Sequence, residues 1–224
     1  MPSDKKLENR AISIIHMLRK ATRTMTKPAA TQIIEKFGRD PYLTLIGCIL
    51  SQQTRDSVSL PASLELFKFA KTPEKMVKVP IKDIEKSIHK VSFYRNKAKT
   101  IHNISQLLID QYDGNVPSTK EELLSFKGVG QKTANLVLSE AFQIPAICVD
   151  THVHRISNRL GLVKTKTPKE TEKALEKVLP QEYWSEWNPL LVMWGQNICV
   201  AISPFCSRCA IYDLCPRIGV KKQR

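Results

Sequence analysis

A lysine at position 132, an aspartate at 150 and cysteines at 199, 206, 209 and 215 are the residues of this 224-residue chain whose types and spacing could do chemistry. Lys132 begins the stretch KTANLVLSEAF, which reads as a helix. An amine there meets the positive end of the helix dipole, which favours its neutral form, and a neutral amine is a nucleophile. A solvated surface lysine is the plain alternative in a chain with 35 lysines and arginines. Asp150 follows the apolar run IPAICV and opens the next helix, where its side chain can cap backbone amides. Two helices packed together after this connection could bring an amine and a carboxylate to one cleft.

Just ahead of Lys132 stands KGVG, Lys127 to Gly130, in a chain with only 8 glycines. A helix ending near Phe126 and another starting near Gln131 leave a very short connection. Gly128 and Gly130 would allow backbone angles and close approach that a side chain blocks. Exposed amides at such a turn form a phosphate site; a plain corner between helices is the alternative.

Four of the 6 cysteines crowd the C-terminus. Disulfides fit poorly with a chain lacking an export signal. A structural zinc site usually pairs two short knuckles, and only Cys206 and Cys209 form one. A four-thiolate loop suits a cubane iron-sulfur cluster better, with zinc kept as the alternative. Cys48 and Cys148, in LIGCIL and PAICVD, read as buried small hydrophobes.

The elements that must position these residues are helical. Leu7, Ala11, Ile14, Ile15 and Leu18 recur at helix spacing, as do Ile81, Ile84, Ile88 and Val91, and then Ala98, Ile101, Ile104, Leu107 and Leu108. Thr72 before Pro73, Thr119 before Glu122, and Thr167 before Pro168 and Glu170 read as helix starts. Alternating strand patterns are nearly absent, so the expected fold class is all-α, with no repeats and no low-complexity segment beyond the basic tail KKQR. No apolar run approaches a membrane span. The opening MPSDKKLENR is charged from its start, so the expected location is the cytoplasm, on the nucleoid. A net charge of +14 and a pI near 9.6 point to nucleic acid as the partner.

Together these stretches resemble the endonuclease III family of helix-hairpin-helix DNA glycosylases. LSQQTRD, FYRNKA, FKGVGQKTAN, VDTHVHRISNRL and the cysteine run carry the resemblance over nearly the whole chain. It implies two helical lobes with a DNA cleft between them. One is a six-helix lobe over about 33–144, with the hairpin motif at about 119–142. The other joins 1–32 to 145–224 around a [4Fe-4S] cluster held by Cys199, Cys206, Cys209 and Cys215, in a loop over 199–215. The implied activity is removal of oxidised pyrimidines such as thymine glycol from duplex DNA, followed by cleavage at the abasic site. Lys132 would be the attacking amine and Asp150 its carboxylate partner. Gln53 matches the family's hydrogen-bonding plug, and Phe93 falls where an aliphatic wedge is usual. Lys127, Gly128, Val129 and Gly130 would meet DNA, with Lys127 in place of a frequent proline. His152 is expected near the pocket and His154 at the surface; HVH opens a helix, which disfavours a metal pair. A monomer would suffice. LSQQT is also similar to the related adenine glycosylase, but that relative lacks the lysine. The rival functions are a mismatch glycosylase for thymine or uracil opposite guanine, and a non-catalytic damaged-DNA binding module.

Overall fold

The protein is described by a computed structural model covering residues 4–224. The first three residues, part of the charged opening read above, lie outside it. The chain is helical throughout with no strand among the described residues, and no helix there is long and apolar enough to cross a membrane. It divides into two compact units, one ending at Lys27 and resuming at Pro145, the other spanning Pro28–Ile144. The divide falls ahead of the second helix, where a boundary at 32/33 would have cut it.

The outer unit begins with α1 (Asp4–Ala21). Ala11, Ile14, Ile15 and Leu18 are fully buried, which is the amphipathic face legible in the sequence.

The middle unit holds α2 (Ala29–Phe37), α3 (Pro41–Ser51), α4 (Asp56–Leu66), α5 (Pro73–Met76), α6 (Ile81–Ser87), α7 (Tyr94–Tyr112), α8 (Lys120–Ser125) and α9 (Gln131–Glu140). Every residue of α3 from Tyr42 to Leu50 is buried. That all-round burial makes α3 the centre of this unit, with α2, α4, α7 and α9 packed on it. The threonine starts hold: Thr72 and Thr119 each accept an amide three residues on, at 3.4 Å. One periodic set runs past its helix. α6 stops at Ser87, yet Ile88 and Val91 are buried, because a turn closed by Val91 N–H on the Ile88 carbonyl (2.9 Å) keeps them facing inward.

The outer unit resumes with α10 (Thr151–Arg159), α11 (Pro168–Val178) and α12 (Trp184–Asn197). α1 lays its apolar face on α11 and α12, and the shared core contains Val153, Leu175, Trp187, Leu191 and Trp194. At the start of α11 the Thr167 hydroxyl accepts from Glu170 N–H (3.2 Å), while the Glu170 carboxylate accepts from Lys166 N–H (2.9 Å). This reciprocal pair satisfies donors that the first turn leaves open.

Candidate functional site

In the middle unit the two glycines of the α8–α9 turn prove unequal. Gly128 has φ +93°, and a Cβ there would lie 2.8 Å from the Thr100 methyl, so the chain itself requires glycine. Its carbonyl accepts from Gln52 Nε2 at 2.9 Å, and the same amide nitrogen donates to Thr133 Oγ1 at 3.2 Å. Gly130 has φ −102° and ψ 177°, with nothing within 4 Å of an added Cβ. The backbone angles expected to need glycine at both positions therefore need it only at Gly128, and Gly130 leaves room for the close approach expected of a partner. Val129 buries its side chain, so it offers a partner its backbone alone. Lys127, Gly130 and Lys132 are exposed. Lys132 stands in the first turn of α9. Gly130→Ala is expected to cost about 1 kcal/mol of stability or less, yet to weaken DNA binding regardless of base sequence, as fluorescence anisotropy against several duplexes would show.

Gln53 and Phe93 occupy two turns with the same unusual backbone. Gln53 has φ 51° and Phe93 φ 57°, and both are exposed, Phe93 at 63%. At that exposure Phe93 is no part of the core. Gln53 caps neither neighbouring helix, since Gln52 ends α3 and Arg55 precedes α4.

Beneath these turns lies a residue the sequence analysis passed over. Lys97 is buried, and its ammonium donates to the carbonyl oxygens of Leu50 (2.8 Å) and Gln52 and to Thr54 Oγ1 (3.2 Å). Burial pushes its pKa down to about 8, so at neutral pH it remains mostly charged, three donors facing three acceptors. A signal was available: Lys97 continues the apolar row of Ile101, Ile104 and Leu108 along α7.

In the outer unit the buried run Ile147, Cys148 and Val149 delivers Asp150 to the start of α10. Its Oδ1 accepts the amides of His152 (2.8 Å) and Val153 (2.9 Å). The carboxylate is thus fixed in orientation at the positive end of a helix. His152 Nδ1 lies 3.1 Å from Arg155 Nη2, and Gly195 of α12 leaves the space for both side chains. His154 corrects the surface reading: it is half-buried, with Nδ1 2.6 Å from Thr171 Oγ1, in a network that includes Asn158 and Thr165.

Cys199, Cys206, Cys209 and Cys215 line one pocket with Ile156, Leu160, Trp194 and Ile211. Among the described residues no His, Cys, Asp or Glu set is grouped as ligands for one ion. Burial pushes the Cys209 thiol up to about 11, and Cys206 and Cys215 upward too. The backbone amides of Ile211 and Arg217 oppose this at Cys209 and Cys215 by donating to sulfur. Arg159, also passed over in the sequence, donates from Nη1 to Cys199 Sγ (3.3 Å) and the Val200 carbonyl (2.8 Å), and from Nη2 to the Ala201 carbonyl (2.6 Å). The basic tail is part of this region: Arg224 N–H donates to the Pro204 carbonyl (2.8 Å), and the Phe205 ring lies under the guanidinium groups of Arg208 and Arg224. Cys48 and Cys148 are buried as expected.

Comparison with known proteins accords with this arrangement. Residues 46–181 match the HhH-GPD superfamily base excision DNA repair protein model. The chain is 45% identical over 196 residues to Endonuclease III of Thermotoga maritima, covering 85% of this chain and 92% of that one. It is 40% identical over 186 residues to Endonuclease III of Bacillus subtilis, covering 83% and 84%. A solved non-covalent endonuclease III–DNA complex superimposes with a TM-score of 0.82 at 35% identity, over 97% of both chains. The chain belongs to the HhH-GPD superfamily of base excision DNA repair proteins, in its endonuclease III family.

Proposed function

We propose that this protein is a base excision DNA glycosylase and abasic-site lyase that removes oxidised pyrimidines such as thymine glycol from duplex DNA. The enzyme class rests on the family match and on relatives named endonuclease III. The observation that carries the chemistry is Lys132, an exposed amine in the first turn of the helix behind the glycine turn.

A base inside a duplex is out of reach, so the nucleotide is turned out and the gap filled. The amides of the Gly128–Gly130 turn and the α9 N-terminus meet the strand's phosphates, with Lys127 adding charge. Gln53 and Phe93 enter the gap, and His152 borders the pocket. Lys132 Nζ attacks the sugar C1′. The C1′–N bond breaks, its electron pair and a proton leave with the base, and the opened sugar remains as a Schiff base. Asp150 stabilises the positive charge that develops on the sugar and assists proton transfer. Loss of a proton from C2′ expels the 3′ phosphate, and water then frees the amine.

Cys199, Cys206, Cys209 and Cys215 would hold a [4Fe-4S] cluster. Four thiols lining one pocket, amides acting on two of the sulfurs and a guanidinium on a third suit such a group. Bound there, a cluster supplies a four-thiolate cross-link whose binding energy is also folding energy. Iron and sulfide analysis of purified protein tests this, and zinc in their place would overturn it. One chain holds every part named, so the active species is a monomer on nucleoid DNA, its net charge of +14 making the binding salt-sensitive.

Borohydride trapping on duplexes carrying thymine glycol or an abasic site tests the activity. Covalent complexes are expected on both. Trapping on the abasic duplex alone would move base specificity to thymine or uracil opposite guanine. No trapping on either, by folded protein, would leave a non-catalytic binder.

A further inference from the structure

Among the described residues Lys97 is the only buried lysine, and its ammonium donates to three groups that flank Gln53 in the chain. Leu50 and Gln52 contribute carbonyls at the exit of α3, and Thr54 contributes its hydroxyl from the other side of Gln53. Thr54 Oγ1 also accepts from Ser92 N–H at 3.2 Å, the residue just before Phe93. The Lys97 backbone amide donates to the Phe93 carbonyl at 3.0 Å. Gln52 reaches onward to the Gly128 carbonyl and to Thr133. A single buried cation thus lies at the junction of the Gln53 turn, the Phe93 turn and the helix that leaves it, while Gln52 ties the same junction to the glycine turn.

Two physical points separate this from ordinary packing. A left-handed backbone at a residue other than glycine is strained, and it persists only where its surroundings over-determine it. Gln53 and Phe93 both adopt it, and both are held by contacts that converge on Lys97 and Thr54. A buried ammonium is also costly unless every donor is satisfied. A methionine would fill the same space without that cost, but it could not hold three acceptors at once.

We propose that Lys97 is a positioning residue: its ammonium locks the Gln53 turn to the Phe93 turn, so that both side chains stand ready to enter the space left by an extruded nucleotide. This rests on the reading of Gln53 and Phe93 as gap-filling residues, and the experiment separates the two ideas.

Single-turnover excision of thymine glycol from duplex DNA is measured for Lys97→Met, for a Gln53→Ala/Phe93→Ala variant, and for the triple variant. Lys97→Met alone is expected to slow excision about 10- to 100-fold, the scale of a misplaced side chain. In the variant that already lacks both gap-filling side chains, it should cost less than about threefold further, because residues acting as one unit are not additive. Thr54→Val, nearly isosteric and milder, should show the same pattern at smaller amplitude and covers the case in which Lys97→Met does not fold. Additive losses, or native rates for both Lys97→Met and Thr54→Val, would overturn the role of Lys97 while leaving the gap-filling reading intact. A native rate for Gln53→Ala/Phe93→Ala would remove that reading and the inference with it.

Discussion

Replacing Lys132 with glutamine is expected to cut base excision by roughly 10³-fold or more and to abolish the borohydride-trapped complex. Glutamine keeps the length and polarity of the side chain but has no amine to form the Schiff base. Lys132 is exposed, so the substitution opens no cavity in the core. It also removes a cation from the positive end of α9, and the melting temperature should therefore be unchanged or slightly raised. Binding to a lesion-containing duplex should survive, weakened only by one charge. The test is single-turnover kinetics beside a thermal melt. A Lys132→Gln variant that still forms the trapped complex would place the nucleophile elsewhere.

Asp150→Asn is the second large effect, with an expected loss of about 10²- to 10³-fold, the scale seen when one electrostatic stabiliser of a transition state is removed. The fold should hardly notice. Asp150 Oδ1 caps α10 through the His152 and Val153 amides, and asparagine caps a helix about as well as aspartate. Asp150→Ala, by contrast, should lose the same chemistry and in addition about 1 kcal/mol of stability, because the cap goes with the charge. Kinetics and chemical denaturation of the two variants separate the structural work of this carboxylate from its chemical work. Equal stability losses in both would mean that the charge, rather than the cap, holds the helix start.

Much of the fold was legible because it depends on neighbours within a turn or two of the chain. Thr72, Thr119, Thr167 and Asp150 accept amides two or three residues ahead, so a local reading finds them. The apolar rows of α1 and α7 face inward because helical periodicity alone assigns a face. Where a turn carried on the helical period, the local reading overshot: Ile88 and Val91 continue the period of α6 but belong to the turn after it. His154 was misplaced at the surface because its partner Thr171 lies 17 residues along the chain, in α11, where Thr171 also meets Thr165 from the loop before that helix.

By itself, then, the sequence determined the helical class, the helix starts, the lysine and aspartate that open two of the helices, and the grouping of four thiols in one short loop. Tertiary structure alone decided which glycine of the turn is required, since φ +93° at Gly128 and the crowding by Thr100 are products of packing. It also decided what Lys97 and Arg159 are for. Each is a cation whose partners are carbonyls, hydroxyls and a thiol about 40 residues or more away. Backbone carbonyls carry no residue-type signature, so hydrogen bonds to them over such separations leave no pattern in the sequence.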